Sequence, residues 1–266
     1  MKTLTSSVFL ALALTTGALV QAQTLEQSNA SYEHRDYRTA FAGFKKLAEQ
    51  GDASAQFNLG VMYEKGQGVP KDEQRAVAWF RKAAEQGDAM AQYNLGQMYR
   101  NGQGVPKDDQ QSVVWYRKAA EQGFAMAQGD LGAMYAIGRG VPKDDQQAVV
   151  WYRKAAEQGF AGAQYNLGLT YANGWGVPKD EQQAVAWYRK AAEQGFADAQ
   201  SKLGLMYGTG QGVPKDDQMA YFWWLLSSAQ GDQIAVKNRD LVEPRLTPEQ
   251  RAAAQASART WQPKTK

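Results

Sequence analysis

The chain of 266 residues contains no cysteine and only one histidine, His34. Without cysteine it can form no disulfide, no thiolate nucleophile and no lipid-modified cysteine anchor. A single histidine supplies neither the usual zinc ligand sets nor a plausible Ser-His-Asp triad. His34 stands beside Arg35 and Asp36 at a predicted helix junction, so we interpret it as a solvated polar residue and not as a lone base. Thiol catalysis and the usual zinc sites are therefore excluded.

The sequence also lacks the motifs by which many enzymes hold phosphate or activate a nucleophile. It contains no Ser-x-x-Lys, no Gly-x-Ser-x-Gly and no Walker-type glycine loop. The recurring Gly-x-Gly, as at Gly102 and Gly104, follows a predicted helix and not a strand, which argues against a dinucleotide site. The formal net charge of +3 is too small to indicate nucleic acid. We predict no catalytic residue, cofactor or metal, and no nucleic-acid partner.

Long apolar runs are missing too, apart from residues 8–20 near the amino terminus. Lys2 precedes this run, and Val20-Gln21-Ala22 offers a small-residue cleavage site, a combination typical of a secretory signal peptide. We predict that residues 1–22 are removed and that the mature chain begins at Gln23. An uncleaved anchor is the alternative, but the run is shorter than the roughly 20 residues that a spanning helix needs. The expected protein is periplasmic or secreted, with no membrane span.

What the sequence does contain is a repeat with a period of 36 residues. Close copies of one pattern follow each other without insertion or deletion and begin at Ala55, Ala91, Ala127, Ala163 and Ala199. A fixed period of roughly 20 to 50 residues indicates a solenoid, because units that cannot bury their apolar faces alone stack to form one core.

The first half of the copy at residues 89–123 predicts an amphipathic helix, which we call helix A. Over residues 89–101 one apolar stripe recurs at helical spacing, formed by Ala91, Leu95, Met98 and Tyr99. Gly96 lies next to buried Leu95. A glycine inside a helix costs about 1 kcal/mol, so its recurrence in every copy predicts that a neighbouring helix approaches closely there.

The second half of the copy predicts a turn and a second helix, helix B. Gly102 suits a left-handed helix stop, and Pro106 makes the residue before it extended. Asp108 predicts the N-cap of helix B, which then runs to Gln122. Each copy is therefore a helix, a turn of seven residues, a second helix and a short turn.

The shared residues A-Q-x-x-L-G-x-x-Y-x-x-G-x-G-V-P-x-D-x-x-x-A-x-x-W-Y-x-K-A-A-E-Q-G resemble the Sel-1-like repeat, a branch of the tetratricopeptide-repeat superfamily. Five matches cover residues 53–231. The resemblance implies an all-α fold, a right-handed α-solenoid of stacked helix-turn-helix repeats. It also implies that the A helices line a concave groove that binds protein or peptide.

Both ends of the repeat array predict capping segments. Residues 23–52 form an amino-terminal capping half-repeat, in which Ala40, Phe44 and Leu47 of a helix-B-like segment face inward. At the other end, residues 232–266 are predicted to form capping helices. One helix is expected over residues 232–242, with Ile234, Ala235 and Leu241 available for burial. A second begins at Thr247, and residues 262–266 are expected to be frayed.

The carboxy-terminal cap is inferred from helix B of the fifth copy. Four apolar residues, Trp223, Trp224, Leu225 and Leu226, include positions that face water in the other copies. An exposed apolar patch of that size is unusual in a soluble monomer, so the following helices are expected to cover it. A patch that binds a partner is the alternative.

Recurring charged residues are predicted to be structural. Paired acids such as Asp108 and Asp109 suit capping and the helix dipole. The arginines of helix B could form a basic ridge, but Arg117 precedes Glu121 by four residues, and this spacing recurs in the other copies. We therefore expect a solvated convex face.

Specificity is expected at positions that differ between copies. The resemblance places these positions on the groove side of the A helices, where amides would meet a peptide backbone and aromatic rings would anchor side chains. Packing between repeats is the alternative for Tyr93 and Tyr165. Trp175 replaces Gln or Arg in a turn and is expected to be a contact residue. The candidate set is Phe57, Asn58, Tyr93, Asn94, Gln97, Arg100, Asn101, Asp130, Tyr165, Asn166, Asn173 and Trp175.

The predicted function is that of a non-catalytic scaffold or adaptor of a bacterial-type cell envelope. We expect a monomer that binds a protein or peptide through the groove of its A helices. The alternative is an envelope enzyme that acts on cell-wall or β-lactam-like substrates, a link that the resemblance suggests through cysteine-rich secreted members.

Overall fold

The computed structural model of the protein describes residues 25–264. The predicted signal peptide, residues 1–22, lies outside this range. The regular elements of the described residues are helices. The first is α1, described over residues 25–33. The others are α2 (Tyr37–Glu49), α3 (Ala53–Lys65), α4 (Glu73–Glu85), α5 (Ala89–Asn101), α6 (Asp109–Glu121), α7 (Ala125–Ile137), α8 (Asp145–Glu157), α9 (Ala161–Asn173), α10 (Glu181–Glu193), α11 (Ala197–Thr209), α12 (Asp217–Ala229), α13 (Gln233–Val242), a 3₁₀ turn (Glu243–Arg245) and α14 (Pro248–Thr260).

The described residues divide into two compact units, 25–122 and 123–264. In the first unit α2 to α6 pack one on the next, and in the second α7 to α13 do the same, with α14 against α12. The packing is closest between the two helices of one repeat, α3 with α4 or α9 with α10. The predicted fold class, an all-α solenoid of stacked helix-turn-helix repeats, is confirmed.

The glycine of each A helix lies against an aromatic ring of helix B in the same repeat. A Cβ atom at Gly96 would stand 2.6 Å from a ring carbon of Tyr116. The same contact recurs through the other copies, where the ring belongs to Phe80, Tyr152, Tyr188 or Trp224. The predicted close approach is confirmed, and the structure shows that a ring of helix B occupies the space that the glycine leaves.

The turn between the two helices needs two glycines with positive φ. Gly102 ends α5 in the left-handed conformation, with φ 72°, as predicted. Gly104 has φ 66°, and a Cβ atom there would stand 2.3 Å from the carbonyl oxygen of Glu73. The second glycine therefore lets the turn lie directly on the start of helix B in the preceding repeat.

Helix B begins at an aspartate N-cap in every repeat. The Asp108 carboxylate accepts hydrogen bonds from the backbone N–H groups of Gln110 and Gln111, and the equivalent aspartates cap α4, α8, α10 and α12. Helix A has two kinds of start. Asp52 and Asp88 cap α3 and α5 through their side chains, whereas α7, α9 and α11 begin at phenylalanines that make no side-chain cap.

At the amino-terminal end α1 and α2 form a helix pair. Ala40, Phe44 and Leu47 of α2 are buried, as predicted. The segment before α2 lacks the Leu-Gly pattern of a full copy, yet it is helical over residues 25–33. In this pair the glycine at the close approach is Gly43, on α2. A Cβ atom there would stand 2.1 Å from the Ser28 hydroxyl oxygen of α1.

At the carboxy-terminal end α13 and α14 cover α12. Trp223, Trp224 and Leu226 are buried, and the helix starts at Asp232 and Thr247 are those predicted. Thr247 and Gln250 form a complete capping box, with Pro248 at the first helical position.

Two expectations about this cap are wrong. Ile234 and Leu241 are 67% and 70% exposed, because α13 turns the smaller Ala235 and Val242 toward α12. The segment after α14 is also not frayed throughout. Lys264 donates its backbone N–H to the carbonyl oxygen of Glu193 at 2.8 Å, and its ammonium pairs with the Glu193 carboxylate at 2.9 Å.

Candidate functional site

In the first unit the predicted groove aromatics pack inside their own repeats. The ring centroids of Phe57 and Phe80 lie 5.8 Å apart, and those of Tyr93 and Tyr116 lie 5.6 Å apart. Phe57 and Tyr93 are only half-buried. Each ring therefore extends the packing of helix A on helix B and also presents part of its surface to solvent.

The predicted polar residues of this unit form local contacts along the same helix faces. Asn58 donates an amide hydrogen to the Asn29 side chain at 3.4 Å, and Gln97 donates to the Tyr93 hydroxyl. Asn94 and Arg100 are half-buried, and Asn101 is exposed. The structure thus brings Tyr93 and Gln97 together as one polar and aromatic surface on α5.

In the second unit Tyr165 contacts both the helix B of its own repeat and the residue at the start of the next helix A. The Tyr165 centroid lies 5.9 Å from that of Tyr188 and 5.4 Å from that of Phe196, the residue that starts α11. In the preceding repeat the position of Tyr165 is Gly129, and a Cβ atom there would stand 2.8 Å from the Phe160 ring. The phenylalanine before each of these A helices fills the space between neighbouring helices.

Trp175 borders a small cavity of about 60 Å³ in the second unit. The cavity brings together Trp175, Asn166, Asp145 and Tyr152. Trp175 is 50% exposed. Burial raises the pKa of Tyr152 to about 12, and the carboxylates of Asp130 and Asp145 add to the shift. The phenol is therefore neutral at physiological pH.

One predicted site residue of the second unit, Asn173, bonds to the backbone of its own helix. Asn173 donates its amide to the carbonyl oxygen of Leu169 at 2.8 Å and so helps to end α9. Asp130 is half-buried on α7. Of the predicted residues in this unit, Asn166 and Trp175 share one cavity and Tyr165 borders another.

The larger cavity that Tyr165 borders lies between α11 and α13 and measures about 270 Å³. Its lining combines an aromatic ring, aliphatic side chains and charged groups: Tyr165, Asp198, Ser201, Lys202, Leu205, Asp232, Ile234 and Asn238. Of these residues, only Tyr165 was predicted from the sequence to be a site residue. The signal was present in the sequence, because residue 232 is aspartate where the three preceding repeats have phenylalanine.

The arginines of helix B do more than form a solvated face. Arg81, Arg153 and Arg189 each donate to the tyrosine hydroxyl 18 residues later, at 2.6, 3.0 and 2.8 Å. The lysine that follows each arginine lies over a tryptophan ring, as Lys82 does at 4.1 Å from the Trp79 centroid. The arginine contacts tie α4, α8 and α10 to the following helix A, whereas the lysine contacts lie within helix B.

Within residues 25–264, no three His, Asp or Glu side chains come together as a metal-binding group. In the same range no helix has both the length and the apolar character required to cross a bilayer. The features that the described residues do offer to a ligand are cavities bordered by aromatic, aliphatic, amide and charged side chains.

Comparison with known protein families identifies the repeat. The Sel1 repeat model matches five consecutive segments, residues 53–88, 89–124, 125–160, 161–196 and 197–232. These boundaries agree with the 36-residue period. Among curated protein sequences no match was found.

Three solved structures illustrate the likeness. A protective antigen present in uropathogenic Escherichia coli strains, which displays an SLR fold, is 39% identical with a TM-score of 0.85. The match covers 91% of this chain and 53% of that one, so the chain spans about half the length of the antigen. A Sel1 repeat protein from Oxalobacter formigenes is 39% identical with a TM-score of 0.75, covering 79% of this chain and 87% of that one. An immunity protein from Pseudomonas aeruginosa is 22% identical with a TM-score of 0.51, covering 78% and 83%, and shares the fold alone.

Proposed function

The chain belongs to the Sel1 repeat family, and from this premise we propose that it is a non-catalytic scaffold that binds a protein or peptide through the exposed faces of its A helices. The observation that carries this proposal is the composition of those faces. They present half-buried aromatic rings and amides, such as Tyr93 with Gln97, beside a fully buried core. Half-buried tyrosines are typical anchors of protein interfaces, because much apolar area is gained for little lost freedom.

The variable positions support the same function. Leu95 and Gly96 of α5 are buried and build the fold, whereas the residues beside them, Asn94 and Gln97, reach the surface. A scaffold can therefore change its surface residues without changing its core. No observation among the described residues favours the alternative of an envelope hydrolase.

We propose the cell envelope or the extracellular space as the location. The support is the amino-terminal sequence, in which Lys2 precedes the apolar residues 8–20 and a small-residue cleavage site at Ala22. Amino-terminal sequencing of the purified cellular protein should give Gln23 as the first residue, and a chain that still begins at Met1 would contradict export with cleavage.

The binding proposal is tested by affinity capture from an envelope extract with the protein starting at Gln23. We expect a captured partner whose affinity falls in the variant Asn94→Ala/Arg100→Ala, since interface truncations cost about 1 to 4 kcal/mol at hot spots. The melting temperature should change little, because neither residue belongs to the buried core.

The matched control is Leu95→Ala on the same helix. Leu95 is fully buried, so this variant should lose roughly 2 to 5 kcal/mol of stability and keep its affinity while folded. If the surface variant binds as well as the parent, the face of α5 is not the binding surface. If it also melts as low as Leu95→Ala, its residues serve packing.

A further inference from the structure

The last repeat junction differs from the two junctions before it in the second unit. At each junction a residue on one helix A faces the residue that starts the next helix A. These pairs are Gly129 with Phe160, Tyr165 with Phe196, and Ser201 with Asp232. In the first two pairs a phenylalanine ring fills the space between the helices. In the third pair both side chains are small and polar, so no ring fills that space.

A cavity lies where the ring is missing. The 270 Å³ cavity between α11 and α13 is bordered by Ser201 and Asp232 themselves, with Tyr165 at one side. The Asp232 carboxylate is held in place, because the Ser227 hydroxyl donates to it at 2.9 Å and the N–H groups of Ile234 and Ala235 cap onto it. The Asp232 carboxylate therefore borders the cavity in a fixed position.

Aliphatic side chains border this cavity and the one that follows it. Leu205 on α11 is 37% exposed, and Ile234 on α13 is 67% exposed. A second cavity of about 160 Å³ shares Asn238 with the first and reaches Leu241. Ile234, Asn238 and Leu241 lie on one stripe of α13 at spacings of four and three residues. We call the two cavities together the α11/α13 cleft.

The Tyr165 cavity holds two carboxylates, Asp198 and Asp232, against one ammonium, Lys202, whereas the charged group that borders the second cavity is Arg245. Burial would raise the pKa of Asp232, but hydrogen bonds from Ser201, Ala235, Ser227 and Ile234 lower it overall, so this carboxylate stays ionised. Burial raises the pKa of the Tyr165 phenol, and Asp198 and Asp232 raise it further. The aromatic wall therefore lies in a negative potential.

We propose that the α11/α13 cleft binds an extended peptide segment of a partner protein, with a large apolar side chain in the Tyr165 cavity, a basic residue directly after it, and a second apolar side chain near Leu241. This assignment rests on the proposed scaffold function and adds the site and the ligand chemistry. The apolar side chain takes the place of the missing phenylalanine ring. The basic side chain complements Asp198 and Asp232, and its cation also interacts favourably with the face of Tyr165.

The length of the cleft sets the spacing of the ligand residues. Ile234 and Leu241 are seven residues apart on α13, which corresponds to about 10 Å at a rise of 1.5 Å per residue. A peptide in the extended polyproline II conformation advances about 3.1 Å per residue and repeats every three residues, so two apolar side chains three positions apart point to the same face and span about 9 Å. The expected ligand pattern is apolar, basic, any residue, apolar.

The test uses a fluorescein-labelled probe, Gly-Ser-Phe-Lys-Ser-Leu-Ser-Gly, and fluorescence anisotropy with the protein starting at Gln23. Binding should weaken roughly tenfold or more when serine replaces the phenylalanine or when glutamate replaces the lysine of the probe. In the protein, Ser201→Tyr/Asp232→Phe recreates the Tyr165 and Phe196 pair and should abolish binding by filling the cavity.

We call Ser201→Tyr/Asp232→Phe the filled variant. If it does not fold, a second variant still tests the proposal. Ile234→Glu changes an exposed side chain, so it should fold normally and bind the probe roughly tenfold more weakly. Its matched control is Ile137→Glu, an equally exposed isoleucine at the end of α7, which should leave binding unchanged.

Three results would overturn the proposal: no binding of the probe, equal binding of the lysine and glutamate probes, or full binding by the filled variant. Self-association of the parent that Ile234→Glu abolishes would instead assign the cleft to a second copy of the chain. A partner captured equally by the parent and by the filled variant would refute the cleft and leave the scaffold function standing.

Discussion

At the scale of single residues, one glycine per repeat decides how closely helix A approaches helix B. A Cβ atom at Gly132 would stand 2.7 Å from a ring carbon of Tyr152 and 3.2 Å from the carbonyl oxygen of Ala148. Both neighbours belong to a close-packed helix pair, so neither can move without disturbing others. The size of the ring varies from Phe80 to Trp224, but the contact with glycine is kept.

Gly132→Ala should therefore destabilise the protein by roughly 1 to 3 kcal/mol, because overpacking outweighs the gain of up to about 1 kcal/mol in helix propensity. Gly162→Ala is the control, since its Cβ atom would meet the Phe160 ring at an ordinary 3.6 Å. This second variant should be as stable as the parent or slightly more stable. Urea unfolding measures both, and equal stability of Gly132→Ala and Gly162→Ala would refute the contact.

At the scale of helices, two glutamines join each repeat to the next. Gln164 at the start of α9 is buried and donates its amide to the carbonyl oxygen of Ala156 in α8 at 3.1 Å. Gln194, which ends α10, donates to the Gln164 side-chain oxygen at 2.7 Å. Equivalent pairs 30 residues apart recur along the chain, for example Gln86 with Gln56. Satisfied polar groups thus fix how neighbouring repeats meet.

Gln164→Leu should cost about 1 kcal/mol, since it removes the side-chain hydrogen bond to the Ala156 carbonyl oxygen, which keeps its bond from the Gly159 N–H, and takes the acceptor from the Gln194 amide. Gln194→Leu should cost less, because Gln194 is only half-buried. In a double-mutant cycle measured by urea unfolding, the two losses should not add, with a coupling of about 0.5 kcal/mol or more. The control is Gln182→Leu at an exposed site of α10. Strictly additive losses would show that the two side chains act independently.

The ends of the helices in the five repeats could be predicted closely from the sequence. The buried face of α13, which lies outside the repeats, could not. Five copies reveal the N-cap at Asp108 and the stop at Gly102 because the same residues recur at the same spacing. On α13 two apolar pairs compete, Ile234 with Leu241 and Ala235 with Val242, each seven residues apart. The size of the side chains favours burial of the first pair. The structure buries the second, because Ala235 allows α13 to lie close to α12.

The candidate site was predicted less well than the fold for a related reason. The repeats separate shared positions from variable ones, so Tyr93, Asn94 and Tyr165 were predicted as groove residues; the structure finds them half-buried, and their role in binding stays a prediction. It does not show which variable residues touch each other across a repeat junction. The pairing of Tyr165 with Phe196, and its replacement by Ser201 with Asp232, became visible only when contacts between helices were known.

At the scale of the whole molecule, a stacked array must finish with a unit that covers its last apolar face. In the second unit that role falls to α13 and α14. The indole N–H of Trp224 donates to the carbonyl oxygen of Ser201 at 3.2 Å, and Gln255 of α14 donates to the Tyr221 hydroxyl at 3.1 Å. Tyr221, Trp224 and Leu246 form one core cluster with residues of both capping helices. The last repeat therefore depends on the cap for its apolar packing.

A chain that ends at Gln230 should show how strongly the array depends on this cap. Without α13 and α14, the side chains of Tyr221, Trp224 and Leu226 lose their cover and form a contiguous apolar patch, which favours association. We expect a lower melting temperature and soluble oligomers or precipitate in light scattering.

The control is a chain that ends at Trp261. It keeps both helices and loses the Lys264 contacts with Glu193, a backbone hydrogen bond and an exposed ion pair, of which the ion pair is worth about 1 kcal/mol or less. This shorter deletion should remain soluble with nearly the parental melting temperature. If the chain ending at Gln230 were equally soluble and stable, burial of the apolar face of α12 by α13 and α14 would not be required for the stability of the repeats.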